Sequence, residues 1–277
     1  MPTKDIAKNL ARGVFCGVIL FSLMSCASSE QKKLNPGTAK QFLKLRGYNY
    51  DEASFLSAAK ARDAAAVHAF LAAGMNPNVK DQSSQASPLI SAAARGDIDI
   101  VRVLLNGAAD VNAKDRSGYT AILRSLESPH DEVAELLLAQ QNLELNAQGI
   151  SGVTVLMRYA GREREDMVGR ILERGASVNL QDSDGDTALH SVAQRGNVNI
   201  LRMLLAKGAN PNVKNKVGGT PLMWAAVFGH EEAARVLLEK GADASLKDNQ
   251  GRTASAWAIE NERDAIADFL RLAEKKR

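Results

Sequence analysis

The feature that most constrains the fold of this chain is a sequence pattern that repeats about every 33 residues. Hydroxyl side chains mark it at Ser87, Thr120, Thr154, Thr187, Thr220 and Thr253. The second leucine of an apolar pair keeps the same spacing at Leu71, Leu105, Leu138, Leu172, Leu205 and Leu238. A repeat of this length predicts a stack of similar helical units, because one short unit cannot bury its apolar side without its neighbours.

The repeated segments carry a distinctive set of motifs. The clearest are Gly218-Gly-Thr-Pro-Leu-Met-Trp-Ala-Ala226, Gly185-Asp-Thr-Ala-Leu-His190 and Gly241-Ala-Asp243. They resemble the ankyrin repeat motifs G-x-T-P-L-H-x-A-A and G-A-D-x-N, over roughly residues 50 to 274. The resemblance implies an all-α ankyrin solenoid of six to seven helix-turn-helix repeats joined by short β-hairpin loops. It also implies that His190 is a structural hydrogen-bonding residue.

The ends of the helices can be read from the same motifs. The Thr220 hydroxyl can cap a first helix, while Pro221 loses no hydrogen bond because the N–H at that position has no partner in a helix. Glycines are expected to end the second helices in a left-handed conformation at Gly74, Gly175, Gly208 and Gly241. The third repeat departs most, since Pro129 and Gln141 replace its glycines, and the regularity of residues 116–148 stays open here.

The first 26 residues indicate export through a membrane. Lys4, Lys8 and Arg12 precede an apolar run over residues 14–24, which is shorter than the roughly 20 residues that span a bilayer. Leu23-Met-Ser-Cys26 follows this run and resembles the bacterial lipobox. That resemblance implies a signal peptide over residues 1–25 and lipid on Cys26. An uncleaved anchor or a chance apolar stretch is the alternative.

Residues 26–49 are expected to connect the lipid to the repeat domain at 50–277. The segment from Ala27 to Gly37 is polar and predicts a flexible tether. Thr38 can cap a short helix that Gly47 can end, and this helix is expected to cover the first repeat. Its apolar residues are predicted to share one side: Phe42, Leu43 and Leu45. A residue other than Asp after the lipidated cysteine implies, again by resemblance, the periplasmic face of the outer membrane.

Charge and aromatic content argue against a nucleic-acid partner. Without the signal peptide the chain has 32 basic and 31 acidic residues, and aromatic residues make up 5% of the sequence. A nucleic-acid surface would need a basic excess and aromatic side chains for base stacking. Cys16 and Cys26 both lie in the N-terminal segment, so no disulfide can join the repeats.

The sequence lacks the residue patterns of a catalytic or metal site. His68, His130, His190 and His230 have no partners at metal-ligand spacing. The stretch Asp182-Ser-Asp-Gly-Asp186 begins like a calcium loop, but Thr187 stands where that loop needs glycine. We therefore predict a protein that is not an enzyme, has no cofactor and no metal, and is a monomer.

The family resemblance places partner binding in a concave groove lined by loop tips and first helices. Just before the glycine between two helices, successive repeats have Arg95, Ser128, Arg162, Arg195, Phe228 and Asn261. Arginine and aromatic residues are common at binding hot spots, although arginines near helix ends also suit the helix dipole. The predicted partner-binding residues are Arg95, Arg116, Tyr119, Arg162, Asp186, Arg195, Val217, Phe228 and Arg252.

Two functions follow as hypotheses. The first is a membrane-anchored module that binds a protein partner of acidic and apolar character through this groove. The alternative is a lipoprotein that binds carbohydrate or cell wall, which would need Trp224 and Trp257 exposed in the groove. The exposure of the two tryptophans distinguishes these hypotheses.

Overall fold

The computed structural model describes residues 34–127 and 131–275, and within them the chain is made of helices joined by turns. Helix α1, Pro36–Leu45, precedes seven pairs of helices. The first helices of the pairs are α2 (Glu52–Lys60), α4 (Pro88–Arg95), α6 (Ala121–Ser125), α8 (Val155–Gly161), α10 (Ala188–Arg195), α12 (Pro221–Phe228) and α14 (Ala254–Glu260). The second helices are α3 (Ala64–Ala72), α5 (Ile98–Asn106), α7 (Asp131–Leu138), α9 (Glu165–Glu173), α11 (Val198–Ala206), α13 (Glu231–Glu239) and α15 (Asp264–Glu274). The predicted all-α helical repeat is confirmed.

Several predictions fall outside the described residues. These are the signal peptide, the lipid site at Cys26, the tether up to residue 33, and the positions of Ser128, Pro129 and His130. None of the helices in the described part is long and apolar enough to cross a membrane.

The helix pairs stack in two layers with the core between them. First helices pack on one another, as α12 does on α10 and α14, and second helices form the other layer, as α11 does between α9 and α13. Leucine and isoleucine side chains from the second helices are fully buried at the same position in successive repeats: Leu104, Leu137, Ile171, Leu204 and Leu237. Small residues on the first helices, such as the fully buried Ala193 and Ala226, let adjacent repeats approach closely.

Most first helices begin as the sequence predicts. The Thr220 hydroxyl accepts a hydrogen bond from the N–H of Met223 at 3.4 Å, and Pro221 occupies the first turn. Ser87 and Thr154 cap their helices in the same way. The four glycines predicted to end second helices all have positive φ angles. The motif therefore specifies where these helices begin and end.

The loops between repeats are hairpin turns that hydrogen-bond to one another. In one loop the N–H of Asp182 donates to the carbonyl of Asp186 at 2.9 Å, and the Asp182 carboxylate accepts the N–H groups of Asp184 and Asp186. Lys216 of the next loop donates its N–H to the Asp184 carbonyl at 2.9 Å. The predicted hairpin loops are therefore present as turns, and the described residues contain no assigned strand.

Repeat three is completed by arginines from repeat four. Its first helix, α6, has only five residues. Arg162 of the next repeat donates to the Leu126 carbonyl at the end of α6. Arg174 donates to the Leu138 carbonyl at the end of α7 and, at 2.8 Å, to the Gln140 carbonyl. Carbonyl groups at helix ends need a donor, and guanidinium groups supply it where the usual terminating glycine is absent.

The N-terminal helix begins earlier than predicted. Its cap is Asn35, whose side-chain oxygen accepts the N–H of Thr38 at 3.0 Å. The prediction that Thr38 caps this helix is therefore wrong. Pro36 and Gly37, predicted as part of the flexible tether, belong to this helix; Pro36 lies in the first helical turn, where its missing N–H has no consequence.

One side of α1 packs on α3, the second helix of the first repeat. Ala39, Phe42 and Leu43 are buried on that side. Leu45 was predicted to share it, but it is 59% exposed and belongs to the opposite side.

Candidate functional site

The candidate site is the open side of the first-helix layer. Helix α12 contacts α10 and α14 on its flanks and α13 behind, which leaves one side uncovered by neighbouring helices. We define the first-helix face as the loop tips together with two positions, one turn apart, at the C-terminal ends of the first helices from α4 to α14, of which only Arg124 is described for α6. The helix positions are Ser91 and Arg95, Arg124, Arg158 and Arg162, Ser191 and Arg195, Trp224 and Phe228, and Trp257 and Asn261.

Aromatic side chains occupy this face in repeats six and seven. Trp224 is half-buried and stacks on Phe228 with ring centroids 6.2 Å apart, and Trp257 meets Trp224 edge-on at 5.8 Å. Phe228 also stacks on the His230 ring at 6.3 Å and is 41% exposed. The nearby loop residue Val217 is 55% exposed. An apolar surface of this kind has no role in solubility and is typical of a binding surface.

The second tryptophan is fixed inside the fold. Trp257 is buried, and its indole N–H donates to the Asp248 carboxylate at 2.8 Å. Burial would raise the pKa of Asp248, but hydrogen bonds from Arg252 and Trp257 outweigh burial and lower the pKa to about 2. Arg252, predicted as a partner-binding residue, is therefore paired with Asp248 and also with Glu260 at 2.7 Å.

Two of the predicted partner-binding arginines have a structural task. Arg95 donates to the Ala59 carbonyl at 2.9 Å and pairs with Asp97 at 2.7 Å, while Arg162 donates to the Leu126 carbonyl. Each acceptor lies at the end of the preceding repeat's first helix, where carbonyls lack helical partners. Arg95 and Arg162, predicted as partner-binding residues, therefore cap a neighbouring helix in the structure.

Two other arginines on the face, Arg158 and Arg195, form no hydrogen bond or ion pair among the described residues. Arg195 is exposed and lies at the end of α10, in register with Phe228 of the next repeat. Arg158 lies two repeats before Trp224 and occupies the same position in its helix. Within residues 34–127 and 131–275 neither guanidinium has a hydrogen-bond or ion-pair partner. Arg116 is exposed at a loop tip and makes one long contact, 3.4 Å, to the Gln82 carbonyl.

Tyr119 and Asp186 do not project from the loops as predicted. Tyr119 is 8% exposed, its hydroxyl shares a hydrogen bond with Ser151 at 2.9 Å, and its ring lies against Gly149. Asp186 is half-buried and accepts a hydrogen bond from the Asn215 side chain at 2.8 Å, and burial raises the pKa of its carboxyl. Each of these side chains binds the following loop.

His190 links two repeats, as the family motif implied. Its Nδ1 accepts the N–H of Thr187 at 3.0 Å, and its Nε2 donates to the Gly219 carbonyl of the next loop at 3.2 Å. The ring is 2% exposed, and burial lowers its pKa. The structural interpretation of this histidine is confirmed.

Sequence reasoning missed two residues of the face. Ile150 is 81% exposed at a loop tip, where the other loops have Arg116, Ser183, Lys216 and Asn249. The sequence alone could have indicated Ile150, because it is apolar at a position that is polar in the other loops. Arg158 was also missed, although it shares a register with Arg124 and Trp224. In the described ranges no three His, Cys, Asp or Glu side chains come together as a metal site.

Comparison with known families agrees with this geometry. A family model described as ankyrin repeats in three copies matches residues 55–149 and 203–276, and a second, described as ankyrin repeats in many copies, matches 156–205. The chain belongs to the ankyrin repeat family. No curated protein matches it. Ankyrin repeats are protein interaction modules, so the family identifies this ankyrin repeat protein as an interaction module.

Proposed function

We propose that this ankyrin repeat protein is a lipid-anchored module of a bacterial cell envelope that binds a partner protein through its first-helix face. The observation that carries the proposal is that Phe228 and Arg195 occupy the same position in adjacent repeats and are both exposed. Phe228 is an apolar side chain, 41% exposed, and Arg195 is a cation without a counter-ion in the part of the chain that the structure describes.

The apolar part of the surface favours an apolar anchor on the partner. Trp224 and Phe228 form a stacked platform, and the exposed Val217 lies in the loop that leads into α12. Burying a large apolar side chain fully is worth about 1.5–3 kcal/mol, and aromatic residues are enriched at binding hot spots.

The charged part of the surface favours carboxylates on the partner. Arg158 and Arg195 lie on the same face as the platform, whereas Arg95, Arg162 and Arg252 are already bonded within the chain. A partner segment with an apolar residue beside acidic residues would match both parts. The fixed, buried Trp257 gives no support to the carbohydrate alternative.

The anchor rests on the sequence of the N-terminal segment. A basic region, an apolar run and Leu23-Met-Ser-Cys26 occur in the order of a lipoprotein signal peptide. With lipid on Cys26, the repeats would be held at a membrane surface. Because Ala27, and not Asp, follows the cysteine, this surface would be the periplasmic face of the outer membrane.

The binding surface can be tested by affinity capture from detergent-solubilised membranes. We expect the double variant Phe228→Ala/Arg195→Ala to retain less than about a tenth of the partner captured by the wild type, because hot-spot truncations cost about 2 kcal/mol or more. The matched control is Arg102→Ala/Leu272→Ala, which also removes one arginine and one exposed apolar residue, but from the second-helix layer. Equal capture by both double variants would reject the assignment of the binding surface.

The anchor can be tested separately by metabolic labelling with palmitate. The wild type is expected to take up label and to sediment with membranes, and Cys26→Ser is expected to do neither in its processed form. Label on the Cys26→Ser protein would contradict the proposal, because it would show that lipid is attached at another residue.

A further inference from the structure

The positive charge of the mature chain is concentrated beside the proposed anchor. Residues 27–50 contain five basic residues and one acidic residue, whereas residues 51–277 contain 27 basic and 30 acidic residues. The segment next to Cys26 is therefore basic, and the repeats that follow have a small negative excess.

Helix α1 presents part of this charge on its exposed side. Lys40 and Lys44 are one turn apart and exposed, and so is Leu45, which is 59% exposed. The opposite side of α1 packs on α3, and both lysines stay exposed to solvent. The sequence of α1 contains no Asp or Glu.

The charge on this side is not neutralised within the fold. Arg46 pairs with Asp63 at 3.1 Å, but the Lys40 ammonium lies 4.3 Å from the centre of the Tyr50 ring and meets no carboxylate of residues 34–127 or 131–275. Lys44 has no ion-pair partner among the described residues. Tyr50 is 38% exposed and is held by a hydrogen bond from its hydroxyl to the Ala73 carbonyl at 2.8 Å. A tyrosine beside lysines is typical of surfaces at a membrane interface.

Lipid on Cys26 would limit the distance between this helix and the bilayer. Eight residue steps separate Cys26 from Leu34, the first described residue, and a fully extended chain of that length spans at most about 29 Å. Electrostatic attraction to anionic lipid acts only within about 8 Å at physiological salt, so a short tether is what makes such contact effective.

We propose that the Lys40 and Lys44 side of α1 binds the anionic headgroups of the membrane to which the chain is anchored. This inference rests on the proposed lipid at Cys26. Because α1 packs on the second-helix layer, membrane contact at α1 leaves the first-helix face open to a partner protein.

The test uses the purified lipidated protein in vesicles of phosphatidylcholine, with or without phosphatidylglycerol. Each lysine is reacted with a membrane-impermeant amine reagent, and its modification rate is read by peptide mass spectrometry. We expect Lys40 and Lys44 to react about fivefold more slowly with phosphatidylglycerol present, because attraction to anionic lipid is worth about 1 kcal/mol per lysine. Lys207 and Lys240, exposed at the ends of α11 and α13, are the controls and should not change. Salt at about 1 M, where the Debye length is about 3 Å, should remove the difference.

The possible outcomes separate this inference from the anchor. If the protein floats with the vesicles but Lys40 and Lys44 react equally in both lipid mixtures, the membrane contact of α1 is refuted while the anchor stands. Equal slowing of Lys207 and Lys240 would refute a contact specific to α1. If the protein does not float with either vesicle, the anchor fails and this inference fails with it.

Discussion

At the scale of single residues, His190 illustrates how a buried polar group joins two repeats. Nδ1 accepts the N–H of Thr187 within its own repeat, and Nε2 donates to Gly219 in the next. Only the neutral ring can accept at one nitrogen and donate at the other. Burial therefore favours the neutral ring and lowers the pKa of His190.

This arrangement predicts a loss of stability in weak acid. The pKa of His190 lies below about 6.5, the value for an unfolded chain, so the unfolded state binds the proton first as pH falls. The stabilising effect of the neutral ring is complete above about pH 6.5 and decreases as pH falls toward the folded-state pKa. Urea unfolding on either side of about pH 6.5 should show this loss in the wild type and a smaller one in His190→Gln. An unchanged slope in His190→Gln would contradict the assignment.

Thr220 is a residue whose role follows from sequence because it acts within one repeat. Thr220 caps a helix that begins at the next residue, so its role follows from local sequence alone. Arg95 and Tyr119 instead bind groups of another repeat, at Ala59 and Ser151. No local pattern identifies these partners, because they become neighbours only when the repeats stack.

At the scale of elements, the close stacking of the loops depends on glycines whose surroundings differ. Gly218 and Gly251 occupy the same position in successive loops, and both have φ of +80°. A Cβ at Gly218 would come within 2.6 Å of the Asn249 backbone nitrogen, whereas a Cβ at Gly251 would meet nothing within 4 Å. The difference arises because no further loop covers the last one in the described stack.

The two glycines give a matched pair of substitutions. Gly251→Ala should lower the free energy of unfolding by about 1–2 kcal/mol, the cost of a left-handed conformation for alanine. Gly218→Ala should lower it by about 1–3 kcal/mol more, because the next loop must also move. Urea denaturation of both variants measures the difference. Equal destabilisation would mean that the loops are not packed as closely as described.

Helix boundaries show where element-scale prediction failed. Asn35-Pro36-Gly37 is compatible with a turn and with a helix start, and only packing of Phe42 and Leu43 on α3 decides for the helix. The sequence does not predict how the helices of repeat three end, because they lack the usual glycines. In the structure Arg162 and Arg174 of the next repeat bind the carbonyls at these helix ends.

At the scale of the whole molecule, the repeat pattern predicted the stack, but not how its surfaces divide. The first-helix face carries uncommitted arginines in repeats four and five and aromatic residues in repeats six and seven. The basic side of α1 lies at the other end, next to the tether. This division follows from side-chain exposure, which a single sequence does not provide.

The central claim is that a partner protein binds the first-helix face, and site-specific photo-crosslinking in intact cells tests it most directly. A photoreactive phenylalanine derivative would replace Phe228 in one variant and Arg102, exposed on α5 in the second-helix layer, in another. The account predicts a crosslinked protein of defined mass from position 228 and none from position 102. Crosslinking from position 102 alone, or from neither position in a protein that remains folded and membrane-bound, would contradict it.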